Sequence, residues 1–145
     1  KPDVPNLAGQ NPAFLLEQMK KFVDGRRRNH FMTGMIKSMN ATDKVNVVVF
    51  YSDQEVKPHG PANPALADQG RQLFFRFCQQ CHGEQGRGND KVARIAGQQP
   101  KYLTLSLKRY RDGTGERADP LMAASTEDLT DDDIEALVAF VSGMK

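Results

Sequence analysis

Apolar positions along this chain recur at three- and four-residue intervals, the spacing of one helix face. Near the start, Leu15, Leu16, Met19, Phe22 and Val23 trace such a face, with Pro12 suited to its first turn and Gly25 to its end. Leu66, Leu73, Phe74 and Phe77 trace another, opening at Asn63-Pro64 and running into Cys78. Leu103, Leu107 and Tyr110 trace a weaker one between Pro100 and Gly113. Ile134, Leu137, Val138 and Val141 mark the last, where Thr130 and Asp133 have the spacing of a capping box. The run from Val45 to Phe50 has strand propensity, but its place in an internal repeat favours helix. The expected fold is all-α.

The repeat sets the organisation. Leu7-Ala-Gly-Gln-Asn-Pro12 recurs as Ile95-Ala-Gly-Gln-Gln-Pro100. In the same register Phe14 matches Tyr102, Lys20–Gly25 matches Lys108–Gly113, and Thr42-Asp43 matches Thr130-Asp131. Thr42 and Thr130 are therefore each expected to cap a second helix. The helix that runs into Cys78 has no counterpart in the first copy. The chain divides into a half-domain over residues 1–56, a Pro- and Gly-containing linker over 57–63 and a complete domain over 64–145.

Composition adds limits. Hydrophobic residues make up 39% of the 145 and Trp is absent, a lean supply for a core that a covalent cofactor would supplement. A formal charge of +2 does not argue for nucleic acid or a membrane surface. The run Arg26-Arg27-Arg28 reads as a docking patch or as a solvated loop after a helix end. No stretch is long and apolar enough to span a bilayer. No signal peptide or initiating Met is present, so the chain reads as processed or trimmed.

The chemistry concentrates in Cys78-Gln-Gln-Cys81-His82. Two thiols at this spacing can each bond a vinyl group of one haem, and the next residue offers an imidazole to the iron; C-x-x-C-H is the attachment signature for haem c. A thioredoxin-like pair would need a βαβ setting. A structural zinc site needs four ligands, and His30 and His59 have no ligand-like spacing to the cluster. Met122, in a Pro-containing segment, is the candidate sixth ligand, with core filling as its alternative. A carbonyl just ahead of Gly97 is expected to orient His82. Gly83, Gly86 and Gly88 let backbone pass close to the haem edge. Gln98, Tyr102, Arg109 and Arg111 are candidate haem contacts at the propionates, each with a solvated surface role as its alternative.

These residues resemble cytochromes c of the c4 type, which carry two tandem class I haem domains. The resemblance covers residues 64–145 through Cys78-x-x-Cys81-His82-Gly83, Gly86-x-Gly88, Ala96-Gly97-Gln98, Tyr102, Tyr110-Arg111-x-Gly113, Met122 and Leu129–Ile134. Residues 5–55 resemble the later half of such a family's first domain, without attachment cysteines. The resemblance implies helical domains around haem, one haem c on Cys78 and Cys81, and His82 and Met122 as axial ligands. It also implies periplasmic residence and electron exchange with a dehydrogenase, an oxidase or another cytochrome. Where the family has a Pro before the Ala-Gly-Gln stretch, Pro5 fits and Ala93 departs. Met35 or Met32 lies near the first copy's sixth-ligand position. Val45, Val48 and Val49 would face a helix the first copy lacks, a surface to be covered by the second domain, another subunit or an N-terminal segment. The expected function is electron transfer, with the haem edge near Cys81 as the exit point. The alternative is a haem enzyme or gas-binding protein with an open distal iron site. A haem-less interaction module built on the first half is a third reading.

Overall fold

A computed structural model of the chain describes residues 1–60 and 63–145, so residues 61 and 62 of the expected linker lie outside the described residues. Among the described residues the helices are α1 (Pro12–Asp24), α2 (His30–Lys37), α3 (Ala41–Ser52), α4 (Pro64–Phe77), α5 (Gln79–His82), α6 (Pro100–Asp112), α7 (Pro120–Thr126) and α8 (Asp131–Ser142). No strand forms among them; Val45–Phe50 is helical, as the repeat implied.

Local chemistry sets the helix ends. Asn11 caps α1 by accepting from the Ala13 and Phe14 amides, and Asn63 caps α4 by accepting from Ala65. Pro12, Pro64, Pro100 and Pro120 each open a helix where a missing N–H costs nothing. Both α1 and α6 stop at a left-handed glycine, Gly25 and Gly113. Asp119 caps α7, and Asn29 caps α2 in the same way.

One expected cap is corrected. Thr42 does not start α3; Asn40 does, in a capping box with Asp43 that matches the Thr130–Asp133 box of α8. The loop from Gly113 to Asp119 is two residues longer than the loop from Gly25 to Asn29. The repeat therefore changes register between its first and second helix. The same shift pairs Met32, not Met35, with Met122: each is the third residue of its helix, bonded to the cap side chain at 3.0 and 3.2 Å.

The main core belongs to the second unit. Phe74 of α4, Leu103 of α6, Leu129, and Ile134, Leu137, Val138 and Val141 of α8 form one buried cluster. The helix pair α4–α8 closes around Gly70, where a Cβ would collide with the Ala136 carbonyl. Met144, partly buried, packs against this cluster. In the first half, Phe14, Leu15, Phe22, Ile36 and Val48 are buried. Val45, Val49 and Phe50 are 49%, 53% and 60% exposed, so the second unit does not cover that face of α3; Val48 points inward instead.

The halves meet through a pseudo-two-fold exchange. Gln10 accepts from the Arg94 amide at 2.6 Å and donates to the Arg94 carbonyl at 3.0 Å. Gln98 does the same to Asn6, at 2.6 and 2.9 Å. Val56, just ahead of the linker, wedges between the two equivalent glycines, Gly9 and Gly97, which have no room for a side chain facing it. Arg27 and Arg117 form a single antiparallel bridge, and the Arg28 amide donates to the Glu116 carbonyl at 2.8 Å. Each half supplies the other with backbone-reading side chains at matching repeat positions.

Candidate functional site

The site is assembled where α4 runs out. Cys78 closes α4, its amide bonded to the Phe74 carbonyl at 2.9 Å, and the one-turn helix α5 then presents Cys81 and His82. Both thiols are free; Cys78 is half-buried against the core and Cys81 is exposed. Burial, with Cys81 beside it, pushes the Cys78 thiol up to about 11, so it stays protonated near neutral pH. That favours neither a thioredoxin-like nucleophile nor a metal thiolate. Among the described residues, no group of three His, Cys, Asp or Glu side chains could hold a metal ion.

His82 is buried, and its Nδ1 lies 2.8 Å from the Ala93 carbonyl oxygen. A carbonyl only accepts, so Nδ1 carries the proton and Nε2 keeps its lone pair. Burial holds the imidazole below its ordinary pKa, against the opposing pull of the Ala93 carbonyl and Asp119. The ring is thus a neutral, oriented imidazole. The orienting carbonyl is the one expected just ahead of Gly97, delivered by Ala93 where the family has proline. The backbone between is tied: the Gly88 amide bonds the His82 carbonyl at 2.8 Å, and Asn89 accepts from the Lys91 and Val92 amides.

Met122 is half-buried in the first turn of α7. Its amide bonds to Asp119, the carboxylate whose charge acts on His82. The Thr126 hydroxyl donates to the Met122 carbonyl at 2.8 Å.

The tentative contacts separate. Tyr102 and Arg109 line a small cleft of about 30 Å³ with Arg27, Tyr110 and Arg117. Gln98 is buried at the junction of the halves with its amide spent on Asn6. Arg111 donates to Asp112 and Asp131 and to the Leu129 carbonyl, tying α6 to the start of α8. Neither of the last two is free for a propionate. Arg117 is not among the residues the sequence points to, and Arg27 enters only within the Arg26-Arg27-Arg28 run. The signal for Arg117 was its place five residues ahead of Met122. Arg27 was hidden in a basic run that the structure divides: Arg26 pairs with Glu17 and Asp24, Arg28 is exposed, and Arg27 turns inward over the Phe22 ring.

The residues fit a covalently held haem on two grounds. Two free thiols and an oriented imidazole lone pair sit on one turn, and an apolar core backs them. An all-helical unit of this kind is the class I domain of a c-type cytochrome. Residues 67–145 match the Cytochrome c family. The chain is 30% identical to cytochrome c4 of Stutzerimonas stutzeri over 99% of its own length and 78% of that protein's. It is 32% identical to the thiosulfate dehydrogenase electron acceptor of Thiomonas intermedia (strain K12), over 81% of its length and 58% of that protein's. The crystal structure of reduced recombinant cytochrome c4 from Pseudomonas stutzeri superposes with a TM-score of 0.86 at 31% identity, covering 100% of this chain and 87% of that one. The chain belongs to the cytochrome c family and is of the c4 type, a haem c protein of electron transfer.

Proposed function

We propose that this chain carries single electrons through one haem c bonded to Cys78 and Cys81, with His82 and Met122 as axial ligands. When bound, the haem supplies a reversible one-electron couple, and His/Met ligation raises its potential. The observation that carries the reading is the fixed Nδ1–Ala93 bond, which dedicates His82 Nε2 to a ligand. Cys78 and Cys81 fix position, and the core wall of Phe74, Phe77 and Leu107 excludes water. Cys81, being exposed, marks the edge where electrons leave.

The chain works as a carrier or electron-transfer subunit and not as a catalyst in its own right. It passes electrons between a dehydrogenase and a terminal acceptor in the periplasm. The likeness to an electron acceptor of thiosulfate dehydrogenase supports a dehydrogenase as donor. No helix among the described residues is long and apolar enough to cross a membrane. The haem unit spans residues 64–145, and residues 1–56 form a half-domain whose exposed α3 face accepts a further helix or subunit.

The test is the visible spectrum of the purified protein, oxidised and reduced, with haem counted per chain. One low-spin haem c with a sulfur-to-iron band is expected. A high-spin spectrum, or one that shifts on adding carbon monoxide, overturns Met122 ligation and gives precedence to an open iron site.

A further inference from the structure

The peptide unit between Ala93 and Arg94 is engaged at both ends. Its carbonyl accepts from His82 Nδ1 at 2.8 Å, and its N–H, the Arg94 amide, donates to Gln10 Oε1 at 2.6 Å. Gln10 Nε2 in turn donates to the Arg94 carbonyl at 3.0 Å. One hydrogen-bond chain therefore runs from the imidazole of the second unit, through a single amide, to a side chain of the first. Gln10 and His82 are both buried, at 6% and 7% exposure, in an interior where linked hydrogen bonds polarise one another. Gly88 also lies against this unit, where a Cβ would collide with the Ala93 carbonyl. Residue 93 is alanine and not proline, so no ring locks the backbone there. The symmetry-related glutamine makes the same pair of bonds elsewhere: Gln98 accepts from the Asn6 amide at 2.6 Å and donates to the Asn6 carbonyl at 2.9 Å. Among the described residues the Pro5 carbonyl ahead of that amide accepts from no imidazole.

We propose that Gln10, in the half without attachment cysteines, is a positioning residue for the axial histidine: through the Ala93–Arg94 amide it fixes the direction of the His82 Nδ1–H bond and strengthens it. An amide whose N–H is donated carries more charge on its oxygen, so the Ala93 carbonyl becomes the better acceptor. A better acceptor draws the Nδ1 proton and makes Nε2 more basic. A more basic Nε2 favours the oxidised, more positive iron, so Gln10 holds the reduction potential down. Gln10 also does by hydrogen bonding what a proline at position 93 does by ring closure, which is to keep one carbonyl on the imidazole. The inference rests on the haem reading above and reaches the haem through His82.

The test compares holo-protein of wild type, Gln10→Met, Gln10→Glu, Gln98→Met and Gln98→Glu. Midpoint potential is measured by spectroelectrochemistry, and the His82 ring N–H resonance of the reduced protein, with its solvent exchange, by NMR. Methionine keeps the length of glutamine without either bond; glutamate keeps the acceptor, strengthened by its charge, and loses the donor. Gln10→Met is expected to raise the potential, move the resonance upfield and speed its exchange. Gln10→Glu is expected to lower the potential and move the resonance downfield. The Gln98 variants remove the matching bonds across the same junction, which controls for loosening and for charge, and they are expected to keep the wild-type potential and resonance. If Gln10→Met fails to load haem, Gln10→Glu decides by the same readouts. Wild-type values in the Gln10 variants, a shift of either opposite to that expected, or equal shifts in the Gln98 variants overturn the proposal. A wild type without a low-spin haem c spectrum would instead fail the underlying haem reading.

Discussion

The last helices of the two units, α3 and α8, are both twelve residues long and open with the same capping box, Asn40–Asp43 and Thr130–Asp133. Their surroundings differ. α8 lies under α4 and buries Ile134, Ala136, Leu137, Val138, Ala139 and Val141, whereas α3 buries Val48 and leaves Val45, Val49 and Phe50 exposed. The same divergence runs through α2 and α7: Met32 and Met122 hold equal positions, but only Met122 shares a unit with His82. Caps and turn glycines specify where a helix begins and ends without regard to what will cover it. Burial, and with it the chemistry, depends on the partner helix. α4 is that partner in the second unit, and it also delivers the cysteines.

Breaking this contrast at the haem gives the largest effect. Cys78→Ala with Cys81→Ala abolishes covalent haem, read as loss of haem staining on a denaturing gel. No substitution in residues 1–56 does so. Next, Met122→Leu removes the sulfur-to-iron band, lowers the reduction potential and admits carbon monoxide. Met32→Leu leaves the spectrum unchanged; a changed spectrum would show that the first unit's methionine also reaches iron.

Packing comes third. Gly70→Ala drives a methyl into the Ala136 carbonyl across the α4–α8 contact, and destabilises by about 1–3 kcal/mol or more in denaturant unfolding. The interface follows. Gln98→Ala leaves the half-buried Asn6 amide and carbonyl unpaired, and Gln10→Ala does the same to Arg94. Each costs about 1–3 kcal/mol, the two losses being similar because the interface is pseudo-symmetric. Unequal losses would show that the halves do not share this contact evenly. The smallest effect sharpens the opening contrast. Val49→Ser on exposed α3 changes stability by less than about 0.5 kcal/mol, while Ala139→Ser at the matching buried position of α8 is destabilising. A large loss from Val49→Ser would mean that the α3 face is covered in solution.

Much of this was legible in the residues. Cys78, Cys81 and His82 declare their chemistry by spacing alone, and the repeat exposed two units with one attachment motif. The repeat also misled. The Ala-Gly-Gln stretch offered Gln98 as a candidate haem contact, with a solvated surface role as its alternative. Its glycine and glutamine serve the junction, where Gly9 and Gly97 flank Val56 and Gln10 and Gln98 trade backbone bonds. The cap of α3 was misplaced because identity at Thr42 and Thr130 outweighed a two-residue difference in loop length. Arg111 was a candidate haem contact with a surface role as its alternative; in the structure it pairs with Asp112 and Asp131.

The sequence by itself determined most helix boundaries and the thiol–imidazole motif, because each depends on residues within one or two turns of one another. Tertiary structure alone decided that the Ala93 carbonyl orients His82 and that Arg27 turns inward while Arg26 and Arg28 do not. Those outcomes depend on groups far apart in the chain, and ultimately on where buried charge and unpaired backbone find partners.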